Sequence, residues 1–171
     1  LRFLDKIAIF EVGSVFHPQK DKKLPDEPQR LSLLLSGLRD SKSWLDSGEE
    51  NYNFFDLKGV IESFIKNLHL DGVEWKKSRD LPFHPGRSVE IMLNEKILGF
   101  AGELHPKIRK SFEIPEQPVC IAELNLDMLI ELVVQDYQME FISNYSPIFE
   151  DLSIVVDSAL PVDVVTPFIL E

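Results

Sequence analysis

The 171 residues hold a single cysteine, Cys120. One cysteine excludes an internal disulfide framework and fits a reducing cytosol. No run approaches the roughly 20 apolar residues that span a bilayer, so no membrane partner is expected, and no basic-then-apolar signal pattern opens the chain. Cations are scarce: 18 Lys and Arg stand against 29 Asp and Glu, a formal net charge of −11. A free-standing nucleic-acid binder is usually basic because it neutralises phosphates, so this segment is not expected to hold RNA by itself. HExxH and CxxC spacings are missing, as are internal repeats and low-complexity tracts.

What is there fits one good-sized domain, or one domain plus part of another, with 44% apolar residues for its core. The chain starts at Leu1 and stops within Phe168-Ile169-Leu170, which reads as a fragment of something longer. Residues 81–108 are its organising stretch. A proline-rich turn, Pro82-Phe83-His84-Pro85-Gly86, precedes an alternating run in which Val89, Ile91 and Leu93 interleave with Ser88, Glu90 and Met92. Asn94-Glu95 is polar and turn-prone, and a second apolar run covers 97–104. The pattern predicts a β-hairpin. Gly99 and Gly102 leave the second strand open to a close neighbour. Pro106 fits the first turn of a short helix over 107–112.

Residues 7–16 alternate as a strand with one strongly apolar face, Gly13 marking a possible bulge. Residues 17–27 read as an exposed loop. For residues 30–37 periodicity leaves helix or strand open. Residues 41–53 are a polar connection. Leu57, Val60, Ile61, Phe64, Ile65 and Leu68 fall at helical spacing, which predicts an amphipathic helix over 56–68 with Asp56 as N-cap. Residues 73–80 lead into the hairpin. Residues 118–126 alternate, and Asp127 can cap a helix through 134. Residues 139–142 are a short apolar piece. At Ser143 the pattern changes to a proline turn, a strand over 152–156 and a helix start near Pro161, too little to bury a core of its own.

Five motifs in order carry a family resemblance: Phe10-Glu11-Val12-Gly13, Phe54-Phe55-Asp56-Leu57-Lys58-Gly59, His84-Pro85-Gly86-Arg87-Ser88, Gly102-Glu103-Leu104-His105-Pro106, and Ala122-Glu123-Leu124-Asn125-Leu126-Asp127. The chain resembles the β chain of bacterial phenylalanyl–tRNA synthetase over essentially its whole length. Leu98-Gly99 stands where the family usually has Ile-Gly. The resemblance implies an α+β fold, with a class II aminoacyl-tRNA synthetase-like antiparallel sheet flanked by helices over residues 1–143, and it favours a strand at 30–37. Residues 144–171 then begin a ferredoxin-like anticodon-binding domain, with its first strand and helix start. The tail keeps Asp151-Leu152 of the family pattern, but Phe149 and Glu150 replace two common arginines, which argues against a phosphate contact from that strand. The family further implies a cytoplasmic ligase that joins phenylalanine to its tRNA with ATP and Mg, an α chain partner in an α2β2 heterotetramer, and tRNA for phenylalanine bound by the full enzyme.

Adenylation needs cations aimed at a triphosphate. Catalytic relatives end the sheet in GxGxER, whereas here Glu123-Leu124-Asn125-Leu126-Asp127-Met128 has no arginine and two carboxylates. Arg2, near where a second arginine is expected, stands without its partner. The segment therefore reads as a catalytic-like core without catalysis, with no catalytic, cofactor-binding or metal residue assigned and no cofactor of its own. Rival readings are weaker. His17, His84 and His105, with Glu103, could supply zinc ligands or a hydrolase pair, but structural histidines are favoured. His84 and Arg87 could hold an anion, but turn chemistry is favoured. Cys120, with an apolar neighbour on each side, reads as an inert buried thiol. A free-standing interaction or RNA-binding module with a borrowed fold is the alternative to a β-chain module.

Overall fold

The computed structural model describes residues 6–20, 22–40, 44, 50–78, 82–133, 144–157, 160, 162–166 and 169. The chain divides into two compact units, Leu1–Tyr137 and Gln138–Glu171. In the first, β1 (Lys6–Ser14) and β2 (Gln29–Gly37) precede α1 (Phe54–Asn67). Then follow β3 (Val73–Lys77), β4 (Phe83–Leu93), β5 (Lys96–Leu104), α2 (Pro106–Ser111), β6 (Val119–Asn125) and α3 (Leu126–Leu132). The strands form one antiparallel sheet in the order β1-β2-β6-β5-β4-β3. The run at 30–37 is thus a strand.

Strand register sorts the side chains into two faces. Leu31, Leu124, Gly99, Ile91 and Trp75 form one cross-strand row on the covered face. Helix α1 lies on that face with Leu57, Ile61 and Ile65, each at most 3% exposed, in the same core cluster. It contacts β5 and β6, while α3 contacts β2. The helices therefore cover the middle of the sheet. β1, at the edge, leaves Ile9, Phe10 and Val12 more than half exposed, so the strongly apolar strand expected there has neither face covered.

Helix α1 starts earlier than its apolar spacing indicates. The N-cap is Asn53, whose side chain accepts from Phe55 N at 2.7 Å. Asp56, expected as the cap, is the third helical residue and accepts from Asn53 N at 2.8 Å. This is a capping box written with Asn and Asp. Helix α3 shows the same displacement. Asn125 caps it through Met128 N, the helix ends at Leu132, and Asp127 instead accepts from Gln29 N at 2.8 Å. Helix α2 begins at Pro106 as expected, capped by the His105 side chain accepting from Lys107 N at 3.1 Å.

The β4–β5 hairpin turns at Asn94 and Glu95, both at positive φ (49° and 62°), as the twist-matched two-residue turn requires. Two irregularities follow. After Ile91↔Gly99 the register jumps to Met92↔Ile97, which leaves Leu98 as an extra residue, fully buried. Further along, Phe83 pairs with Leu104 and Ser88 with Gly102, so His84, Pro85, Gly86 and Arg87 all stand opposite Glu103. The proline-rich segment is thus an excursion within β4 rather than a turn before it. Pro85 and Gly86 leave the ladder while the strand continues on both sides. Gly13 marks no bulge: the β1–β2 ladder runs unbroken from Lys6↔Gly37 to Ser14↔Gln29. The loop at 17–27 is exposed and pinned by a two-way backbone bridge between His17 and Asp26.

In the second unit residues 151–157 form no strand, contrary to the expected strand at 152–156, and Val155 is fully exposed. A strand exists only against a partner, and the described residues of this unit offer it none. α4 (Val162–Val165) follows, with Thr166 Oγ1 donating to Val162 O at 3.0 Å. Residues 139–142 lie outside the described residues, as does most of the 41–53 connection.

A Cβ at Gly102 would stand 2.6 Å from Arg87 O and 2.9 Å from Phe83 Cδ1. One at Gly99 would collide with Glu123 O. The sequence-based expectation of close approach holds at both. Gly102→Val should cost ~1–3 kcal/mol by overpacking and lower the melting temperature by roughly 3–12 °C; an unchanged melt in calorimetry refutes the contact. Asn53→Ala, which removes a cap from a solvent-facing helix end, should cost about 1 kcal/mol in urea unfolding.

Candidate functional site

The face opposite α1 is half open. Register carries one row of side chains straight across it: Glu11, Ser32, Glu123, Phe100, Glu90 and Lys76. The next row is Ile9, Leu34, Ile121, Gly102 and Ser88. Pro82 and Phe83 wall the second row, and with Ile9, Leu34 and Ile121 they line a cavity of about 520 Å³. Glu123 lines it and meets Arg30 Nε at 3.6 Å. Glu11 lines the opposite rim, with no hydrogen bond or ion pair among the described residues.

Of the two carboxylates expected on the last strand, only Glu123 reaches this face; Asp127 is spent on the Gln29 amide. Arg2 lies outside the described residues. A triphosphate on this face would meet Glu11, Glu123 and Glu90, while the nearby Arg30 is already engaged by Glu123.

The signature residues of the two central motifs meet elsewhere, in one clasp. Arg87 Nη1 donates to Glu103 Oε2 at 2.5 Å, and this bond raises the arginine pKa further. His84 Nδ1 accepts from Gly86 N at 3.2 Å, which tightens the excursion. His105 N donates to Pro82 O at 2.9 Å. The His84 and His105 rings stack with centroids 6.3 Å apart. Ser88 Oγ donates to Ser78 O, a buried bond of 2.8 Å. Arg87 thus has its carboxylate, and both imidazoles use Nδ1 on backbone N–H groups. These contacts support turn chemistry over an anion pocket. Glu103 and His105 have separate structural partners, which leaves the hydrolase pair without a basis. Among the described residues no three His, Cys, Asp or Glu side chains gather around a common point; His17 sits apart, in its bridge to Asp26.

Cys120 pairs with Leu35 and Glu103 in the sheet and is fully buried. Burial, then the neighbouring Glu103 and Asp56 carboxylates, push its thiol up to about 12 against the pull of Arg87. The thiolate, the nucleophilic form, is therefore suppressed.

Sequence reasoning missed the paired rim of Glu11 and Glu123 around Ser32. Each carboxylate sits in an alternating strand, but only the β1-β2-β6 order brings them into one row.

The fold is similar to that of a solved aminoacyl-tRNA synthetase. Pyrrolysyl-tRNA synthetase from Desulfitobacterium hafniense superposes with a TM-score of 0.55 at 19% identity, over 77% of this chain and 43% of that one. A second structure of the D. hafniense protein gives 0.54 at 18% identity. The sequence narrows the class: residues 2–126 match the family described as phenylalanyl tRNA synthetase beta chain CLM domain, and the chain belongs to that family. The phenylalanine–tRNA ligase beta subunit of Syntrophus aciditrophicus (strain SB) is 34% identical over 158 residues, 92% of this chain and 19% of that protein. Those of Bacillus subtilis (strain 168) and Moorella thermoacetica (strain ATCC 39073 / JCM 9320) are 32% and 34% identical, over 93% and 96% of this chain and 20% of each protein. The chain thus spans about a fifth of the length of these relatives.

The buried thiol has a measurable consequence. A folded pKa of about 12 against an ordinary 9.0 means that the unfolded chain releases the proton first as pH rises. The stability this contributes is complete below pH 9.0 and is lost progressively towards about pH 12. At pH 8 a chromogenic disulfide reagent should leave Cys120 unmodified in the native chain and titrate one thiol after denaturation. Rapid native reaction refutes its burial.

Proposed function

We propose that the chain is a non-catalytic structural and assembly module of the beta subunit of phenylalanine–tRNA ligase. In this reading the whole enzyme joins phenylalanine to its tRNA with ATP and Mg. It works in the cytoplasm as an α2β2 heterotetramer, and the α chain carries the chemistry. Residues 1–143 are the class II core. Residues 144–171 begin a ferredoxin-like anticodon-binding domain, a reading supported by Asp151-Leu152 and by the helical turn at Val162–Val165.

One observation carries the absence of catalysis. The open face presents Glu11, Glu123 and Glu90 in a single row, and Arg30 is engaged by Glu123. Transfer to a nucleotide builds negative charge on the phosphates, which preorganised cations must meet. Three carboxylates oppose that charge, and the one lysine of the row, Lys76, is paired with Glu74 at 3.0 Å. The net charge of −11 likewise argues that tRNA is held by other parts of the enzyme.

The test has two parts. Phenylalanine-dependent exchange of pyrophosphate into ATP by the pure chain should match the blank; clear exchange overturns the non-catalytic assignment. Co-expression with the α chain of the same genome should yield a complex that survives size-exclusion chromatography when the full-length β chain is used. Loss of that complex on deleting this segment supports an assembly role, and an undiminished complex refutes it.

A further inference from the structure

We propose that the cavity on the open face binds a small organic cation with an apolar body, of the aralkylamine class. The ammonium would lie over Ser32 between Glu11 and Glu123, with the hydrocarbon part on Ile9, Leu34 and Ile121. The proposal does not depend on the ligase assignment.

Size comes first. About 520 Å³ falls within the 300–1,000 Å³ range of small-molecule sites, which are mostly apolar with a few placed polar groups. The floor is the row Ile9, Leu34, Ile121, walled by Phe83. A fully polar ligand would leave that surface unused.

Charge selects the sign. Glu11 and Glu123 both pair with Ser32, one from each side. With strands about 4.8 Å apart, their Cα atoms flank the serine at a separation of about 10 Å. Serine is the small residue of the row, so two long acidic side chains can close over it on one cation. Arg30 offsets part of the charge from outside the row: two carboxylates less one guanidinium leave one net negative charge at the rim. Glu11 has no partner among the described residues and is the group with most to gain. Phe100, next to Glu123 in the row, adds an aromatic wall. A carboxylate on the ligand would face this rim and be repelled, so an amine is favoured over the corresponding amino acid.

The experiment is an amide-resolved NMR titration of the chain with phenethylammonium. Two controls separate the contributions: 3-phenylpropionate has a similar body and the opposite charge, and ethylammonium has the charge without the ring. The expected result is saturable, millimolar binding of phenethylammonium that shifts amides of β1, β2 and β6, with both controls much weaker. In the exposed double variant Glu11→Gln, Glu123→Gln the dissociation constant should rise about 3- to 10-fold while the spectrum stays that of a folded chain. Absence of saturation overturns the proposal. So does equal binding of phenylpropionate, which would show an apolar surface without charge selection, or equal binding of ethylammonium, which would show only general attraction to an acidic chain. Unaltered affinity in the double variant overturns it as well.

Discussion

The sheet depends on one close contact, the backbone of Arg87 pressed into the space that Gly102 leaves open. Because Gly102 has no side chain, β4 can depart from the ladder for four residues and rejoin it, in a shifted register, at Ser88. Glu103 then anchors the departing arginine, and His105, bonded to Pro82, starts the next helix. Two motifs separated along the chain are therefore one physical unit, each useless without the other. The Arg87 side chain is largely exposed, so its ion pair contributes modestly to stability; its role is geometric, in holding the excursion to one conformation.

The two faces of the sheet follow different physics. The covered face is a row-by-row apolar lattice closed by α1, in which even a cysteine is reduced to a small hydrophobe. The half-open face keeps polar and apolar rows in alternation, with Glu11, Glu123 and Glu90 in one of them. The two faces thus belong to one sheet of the family described as phenylalanyl tRNA synthetase beta chain CLM domain.

Much of this was legible in the residues. Period-two alternation around Asn94-Glu95 announced the hairpin, and Gly99 and Gly102 announced close neighbours. The spacing from Leu57 to Leu68 announced the helix. The caps were misplaced because Asn53 and Asn125 do the work usually signalled by Ser or Thr, while the more conspicuous Asp56 and Asp127 have other partners. The excursion at 84–87 looks like a turn in the sequence, since proline and glycine mark both, and only the partner strand tells them apart. The strand expected at 152–156 does not form, since the described residues of its unit offer it no partner. The rim of Glu11, Ser32 and Glu123 was invisible for a general reason: its members lie far apart in sequence, and alternation gives each residue's face without giving its neighbours.

β1 has a further bearing on how such a chain behaves. It is a nine-residue strand at the margin of the sheet, with apolar side chains uncovered above and below and one row of peptide groups facing outward. Natural sheets blunt such margins with charge, proline or a bulge, because an unguarded one templates the addition of another strand. Here Glu11 is the lone charge in the run from Ile7 to Gly13. Addition of a further strand along this margin would cover Ile9, Phe10 and Val12, which the sheet alone leaves to solvent.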